Sequence, residues 1–406
     1  MRKLNGQERF YRALKCEEVD KMPSFWMDIT PHGTFEQVWR DFLNKENNPE
    51  LDECFEIHPV LGDITRTNWY SKGTSSIISL PSAHFPYPSV YYNKEEDRIY
   101  TKKETQDLKT KEKLFRVSPY GSIREYEPNG TKGWYYGPYF RGPNAIERMN
   151  EMYAEFGAPW EKEMIGDLKR TKKLISKVKE AGFSHAVHGS AKGHFEPIWG
   201  GFGPLTIAKL MRNRPGFFKD LLNKFGILCR ESAKFSAEAG FQIIKTGDDL
   251  GQKDRSLISP EDYRNFFYPH LKSRCDAAHK YGAVVFMHSC GFMEDLIPHF
   301  LDAGLDGLQS LEVPAGNDLA RIRKIVGNKM CLVGGIDSSR VMTFGSPEQC
   351  EEHVKTQINK ATLLDGERID GGYIPGPAHN LIDTPMENVR TVIDAIAKYG
   401  KYPLVF

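Results

Sequence analysis

A histidine and a cysteine separated by one residue, at the end of an apolar run, are the side chains of this sequence whose types and spacing speak most directly of chemistry. His288 and Cys290 close the stretch Ala283-Val284-Val285-Phe286-Met287, and Gly291 follows as a turn. On an extended strand, side chains two apart point to the same face, so the imidazole and the thiol project together while Ser289 faces away. A thiolate beside an imidazole matches the borderline-soft preference of Zn2+. Two ligands do not complete a site, because a catalytic zinc takes three protein ligands and keeps an open position. His379, Glu196, Asp248 and Asp249 are the candidates for the third. The competing interpretation is structural, with Cys290 a small buried hydrophobe and His288 a hydrogen-bonded core histidine.

Carboxylates form the second group. Asp248 and Asp249 sit in Gly247-Asp248-Asp249-Leu250-Gly251 and are the candidate catalytic acids, able to orient a ligand or exchange a proton. Adjacent residues on an extended chain point oppositely, so at most one of them faces a shared mouth, and the other is free to cap a helix or bind a neighbouring loop. The stretch Glu196-Pro197-Ile198-Trp199-Gly200-Gly201-Phe202-Gly203-Pro204 is glycine-rich without a phosphate-binding pattern, and reads as a mobile mouth loop with an aromatic contact. Trp26, Asp28, Glu196 and Trp199 are the candidate substrate-binding residues, and Trp69, Tyr70 and Phe202 add aromatic surface unless they are ordinary packing.

These groups need elements to position them. A helix is expected from about Asn5 to Glu18, with Phe10 and Leu14 at helical spacing, and Val19-Asp20-Lys21-Met22-Pro23 stops it. A short strand, Ser24 to Asp28, follows, and a weaker one lies near Val60. From about residue 64 to 140, aromatic and β-branched runs (TRTNWY, SSIISL, SVYYN, RIYTKKE, GWYYGPYF) alternate with turns, which reads as an antiparallel insertion. A basic helix, Lys169 to Ala181, presents a solvated outer face. Beyond it, strands at His185–His188, Phe241–Thr246, Ala283–His288, Gly307–Ser310, Cys331–Gly334 and Gly372–Ile374 each follow a helical segment. Ala239-Gly240, Tyr281-Gly282 and Ala303-Gly304 look like helix caps feeding those strands.

The total approaches eight parallel strands with interleaved helices, so the expected architecture is α/β, a closed (β/α)8 TIM barrel forming one domain over residues 1–406, with the 64–140 insertion inside it. The alternative, a doubly wound open sheet, lacks its fingerprint: no GxGxxG follows the first strand and no GxxxxGK[ST] occurs. In a barrel the active site lies at the carboxyl ends of the strands. The polar residues collect there: Trp26 and Asp28, then His188, Lys192, His194 and Glu196, then Asp248 and Asp249, His288 and Cys290, Gln309 and Glu312, Asp337, and finally His379 and Asn380.

Charge and cysteine usage bound the partners. With 55 basic and 54 acidic residues, a formal net charge of +1 gives no general attraction to nucleic acid or anionic membrane. Seven scattered cysteines without CxxC pairs argue against a disulfide framework or a zinc ribbon and for a reducing cytoplasm. The amino terminus lacks an apolar h-region, and no segment approaches the roughly 18 apolar residues of a membrane span. The expected protein is cytoplasmic, with a homodimer left open.

Several of these motifs together resemble one family. Glu8-Arg9-Phe10-Tyr11-Arg12-Ala13-Leu14 leading to Met22-Pro23, the Gly247–Gly251 turn, Ile258-Ser259-Pro260-Glu261, His288-Ser289-Cys290-Gly291, Gly334-Gly335-Ile336-Asp337 and Gly371-Gly372-Tyr373 to His379-Asn380 look like the uroporphyrinogen decarboxylase superfamily, in its corrinoid-dependent methyltransferase branch. The resemblance is strong from about Gly216 onward and weak over the aromatic insertion. Membership implies a (β/α)8 barrel. True decarboxylases carry an arginine-rich RQAGRY-like segment near the first strand, whereas here Phe25-Trp26-Met27-Asp28-Ile29-Thr30-Pro31-His32-Gly33 has no arginine, which argues against a porphyrinogen substrate.

The methyltransferase branch is similar in its HxC pair plus a distant cysteine as zinc ligands. His288 and Cys290 match the pair, but the corresponding loop, Pro375 to Asn380, has no cysteine, and His379 is the residue best placed to substitute. The resemblance therefore implies a zinc methyltransferase acting with a corrinoid (cobalamin) protein on a small methylated substrate. A methoxylated aromatic leads, and a thiol acceptor of the coenzyme M type comes second. Uroporphyrinogen decarboxylation and a non-catalytic barrel that binds a ligand or a corrinoid protein are the alternatives.

Overall fold

The computed structural model describes residues 3–26, 77–79 (backbone), 86–108, 114–126, 133–180, 186–381 and 384–404. Among these residues, seven parallel strands curl into one sheet in chain order: β1 (Ile77–Ser79), β2 (Ala186–Ser190), β3 (Ile243–Gly247), β4 (Val284–Ser289), β5 (Gly307–Ser310), β6 (Cys331–Ile336) and β7 (Tyr373–Pro377). Parallel pairing in sequence order, with a helix in most crossovers, is the TIM-barrel arrangement expected from the sequence.

Two strand expectations change. Ile77–Ser79, read as part of the antiparallel run, pairs parallel with β2 and belongs to the barrel sheet. A run such as Ser-Ile-Ile-Ser has the same β-branched signature in either setting, so pattern alone does not separate them. The expected first strand, Ser24 to Asp28, is irregular over its described part, yet it lies alongside β7, where the Phe25 amide donates to the Pro375 carbonyl at 3.0 Å. The weaker strand near Val60 falls outside the described residues.

The amino-terminal helix, Gly6–Leu14, begins where the Asn5 side chain accepts from the Glu8 amide at 2.8 Å. Its buried face carries Phe10, Ala13 and Leu14 against the interior residues of the strands, Ile243, Val284, Phe286, Val333 and Ile374. Phe10, Phe25 and Phe286 meet edge to face with ring centroids 5.7 to 6.4 Å apart. Together they close the amino-terminal end of the barrel. Alternation along β4 does the sorting: Val284 and Phe286 fill this inner cluster, whereas Val285 and Met287 pack outward into the larger core shared with the helices. His288 continues the inward row. Gly240, Gly282 and Gly304 all take the left-handed conformation expected of caps between helix and strand.

Among the described residues, an antiparallel sheet runs in the order Arg98–Ile99, Val90–Asn93, Phe115–Val117, Ser122–Tyr126, Gly133–Pro138. It leans on the helix Phe195–Phe202, where Gly201 approaches so closely that a Cβ there would fall 1.6 Å from the Tyr120 carbonyl oxygen. That helix replaces the mobile loop expected from its glycines. No helix among the described residues is long and apolar enough to cross a membrane, and the six cysteines among them are free thiols.

Candidate metal centre

Strand register brings the site together before any side chain is considered. His288 lies opposite Gly247 on one side and Gln309 on the other, so the ends of β3 and β5 flank it. The Gln309 amide donates through Nε2 to the Ala378 carbonyl at 3.3 Å, which turns its Oε1 toward His288 Nδ1. Nδ1 must then be the protonated nitrogen, and Nε2 keeps its lone pair. That lone pair faces the Cys290 thiol, with Sγ 3.2 Å from Nε2.

His379, on the turn after β7, completes the cluster. One donor atom from each of His288, Cys290 and His379 lies within 4.8 Å of the other two. A tetrahedral zinc with bonds of ~2.0–2.3 Å spaces its ligands by about 3.5 Å, so three such donors fit one ion after small side-chain adjustments. The surroundings suit a cation. Burial, followed by the Asp249 and Glu312 carboxylates, pushes the Cys290 thiol far above its ordinary range, so without positive charge it stays protonated. A divalent ion held there would reverse that balance and favour the thiolate. Burial also lowers the pKa of His288, which keeps the imidazole neutral as a ligand must be.

The two aspartates divide their work. Asp249 turns to the mouth: its Oδ1 accepts from the Cys290 amide at 3.0 Å and lies 3.6 Å from His288 Nε2. Asp248, expected beside it as a catalytic acid, is buried and points the other way. It accepts from the His194, Phe195 and Glu196 amides at 2.7 to 3.1 Å and pairs with Arg274 at 3.1 Å. Two glycines allow the loops after β3 and β4 to run in contact. Gly291 has φ +82°, and a Cβ on it would sit 2.4 Å from the Gly251 carbonyl carbon; Gly251 donates to the Cys290 carbonyl at 3.1 Å.

The other expected site residues lie at varying distances from this centre. Glu196 occupies the first turn of the helix Phe195–Phe202. Solvent reaches it, but crowding by surrounding protein, then Asp249 and Asp248, pushes its carboxyl up to about 7. Trp199 stands on the same helix against Tyr135 of the antiparallel sheet, ring centroids 6.4 Å apart. Trp26 is buried in the main core, its indole N–H donating to Ser24 Oγ at 3.1 Å. Asp28, Trp69 and Tyr70 lie outside the described residues. His188 and His194 are buried against backbone carbonyls.

Three contributors carried no assigned role in the sequence. Gln309 and Glu312 stood only as polar residues at a strand end; Gln309 orients His288, and Glu312 accepts from the Gly291 amide at 3.0 Å. Ser310 and Leu311 are both buried and left-handed, with φ +102° and +52°, and this strained turn brings Glu312 back to the Cys290 loop. Arg274 left a signal that could have been used. It shares the buried face of the helix Tyr268–His279 with His270, Leu271, Cys275 and Ala278, a permanent charge on a mostly apolar stripe.

Known proteins resemble this chain in sequence and in fold. Residues 199–399 match the family described as uroporphyrinogen decarboxylase (URO-D). The methylcobamide:CoM methyltransferase MtaA of Methanosarcina barkeri is 27% identical over 216 residues, 50% of this chain and 58% of that protein. A uroporphyrinogen decarboxylase of Chlorobium phaeovibrioides is 25% identical over 285 residues, 66% of this chain and 74% of that one. A solved structure, a methyltransferase from Methanosarcina mazei, superposes with a TM-score of 0.58 at 17% identity over 98% of this chain and 99% of that chain, which bears out the fold. Residues 199–399 thus form a domain of the uroporphyrinogen decarboxylase family, and the matches support the corrinoid methyltransferase branch of that superfamily.

Proposed function

We propose that this chain is a zinc-dependent methyltransferase that moves a methyl group from a small methylated compound, a methoxylated aromatic first, to a corrinoid carried by a partner protein. The observation that carries the reading is the convergence of His288, Cys290 and His379 donor atoms at the barrel mouth. Those three residues would hold zinc, which when bound supplies Lewis-acid polarisation of the leaving oxygen or sulfur. The methyl carbon leaves with neither electron of its old bond. The oxygen or sulfur keeps that pair, and the Co(I) corrinoid, the methyl acceptor, provides the pair for the new bond.

The chain's own groups supply the rest. Gln309 fixes the His288 ring, and Asp249 holds the Cys290 backbone. Glu196, with its carboxyl near 7, is suited to hand a proton to the departing alkoxide or phenolate at neutral pH. Trp199 and Tyr135 offer flat apolar surface beside it.

Purified protein is expected to carry about one zinc per chain, lost in His288→Ala and Cys290→Ala, and to methylate cob(I)alamin from at least one member of a panel of methoxylated aromatics. Metal-free protein with full activity would sink the mechanism. If methylated thiols turn over and aryl ethers do not, the thiol form of the reaction replaces the ether form. The match to decarboxylases favours one rival, which needs no metal: CO2 release from uroporphyrinogen, undiminished in His288→Ala, would establish it.

A further inference from the structure

We infer that Asp248 and Arg274 form a buried positioning clamp that fixes the helix Phe195–Phe202, and with it Glu196, relative to the loop that carries Cys290. Both side chains are almost fully enclosed, at 4% and 2% exposure, with Nη2 of Arg274 3.1 Å from the carboxylate. The carboxylate also takes three successive amides, from His194, Phe195 and Glu196, as the helix starts. Arg274 reaches the same segment from below, donating through Nη1 to the Lys192 carbonyl at 2.6 Å and to Thr246 Oγ1 at 3.2 Å. Gly193 seals the joint, since a Cβ there would lie 1.9 Å from the Gly247 carbonyl oxygen and 2.6 Å from the Asp248 carboxylate.

The clamp is coupled to the site through one peptide unit. Asp248 grips the amide of Glu196, and the next residue, Asp249, grips the amide of Cys290. The spacing between Glu196 and the thiol loop is thus set by two consecutive residues of the same turn. A buried ion pair adds little net stability over well-packed apolar side chains, whereas it does fix geometry. That favours a positioning role for Asp248, in place of the catalytic one expected from sequence.

The test uses the zinc-loaded full chain and Asp248→Asn, Arg274→Met, the double variant Asp248→Asn/Arg274→Met and Glu196→Gln. The double variant guards against misfolding, because it leaves neither charge buried alone. Amide hydrogen exchange at His194, Phe195 and Glu196 is expected to accelerate roughly 10-fold or more in all three clamp variants, with zinc content unchanged. This arm does not depend on the proposed reaction. Where methyl transfer is measured, the clamp variants should lower kcat with little change in KM, and adding Glu196→Gln to Asp248→Asn should cost nothing beyond Glu196→Gln alone. Unchanged exchange at these amides overturns the clamp, as do losses that multiply. A wild type that transfers no methyl group refutes the proposed function and leaves the exchange result to decide the clamp.

Discussion

The two ends of the barrel are built from the same strands and the same alternation, yet they do opposite things. At the amino-terminal end the inward row of β4 supplies Val284 and Phe286, which meet Phe10 and Phe25 in a closed aromatic plug. Two residues further along the same row comes His288, and two beyond it Cys290, in a mouth ringed by Asp249, Gln309, Glu312 and His379. The plug is held by dispersion and burial, which are non-directional and tolerate no void. The mouth is held by directed hydrogen bonds in which each partner has one acceptable orientation. Apolar packing and directed hydrogen bonding are therefore segregated along one strand, and each end should be breakable without the other.

The largest effect is expected at the plug. Phe286→Ala removes a fully buried ring and should cost about 3–5 kcal/mol in denaturant unfolding, while the folded fraction still binds zinc. A loss of metal in step with the loss of stability would show that the ends are not separate. The complementary break is Gln309→Leu, which removes the acceptor from His288 Nδ1. Zinc affinity should fall by about 10–100-fold in a chelator competition, with unfolding midpoints little changed.

Acid sharpens the contrast by acting on buried rings outside the metal cluster. Burial holds His188 and His194 at about 3 and His270 at about 2, far below the ordinary 6.5. These rings stay neutral in the folded protein, whereas the unfolded chain takes up their protons once the pH drops below 6.5. Stability should hold above that value and decline below it, each ring contributing a slope that approaches about 1.4 kcal/mol per pH unit down to its folded value. Urea midpoints measured from pH 7.5 to 5 test this, and His188→Gln should flatten the profile by one ring's share.

Much of this was legible beforehand because it is local. The strand carrying His288 and Cys290, the glycine caps and the start of the first helix near Asn5 all follow from residues within a few positions of one another. What pattern did not reveal is held from a distance. The glycine-rich stretch from Glu196 is helical because Asp248, about fifty residues later, binds its first amides, and no propensity within the stretch announces that. Ile77–Ser79 goes to the barrel because β2 is there to pair with it. The roles of Gln309 and Arg274 likewise depend on partners brought alongside by the sheet, and so does the separation of two adjacent aspartates into a clamp and a mouth residue.

The contact between Gly251 and Gly291 has a consequence for how such a protein can change. With no side chain between them, the two loops act as a spacer gauge of zero thickness, and the thiol's height above the barrel is read from it. Loops that do not touch the gauge can lengthen or shorten to suit new ligands without moving that reference. The loops after β3 and β4 cannot, so adaptation to new substrates is channelled to one side of the mouth while the other keeps its measure.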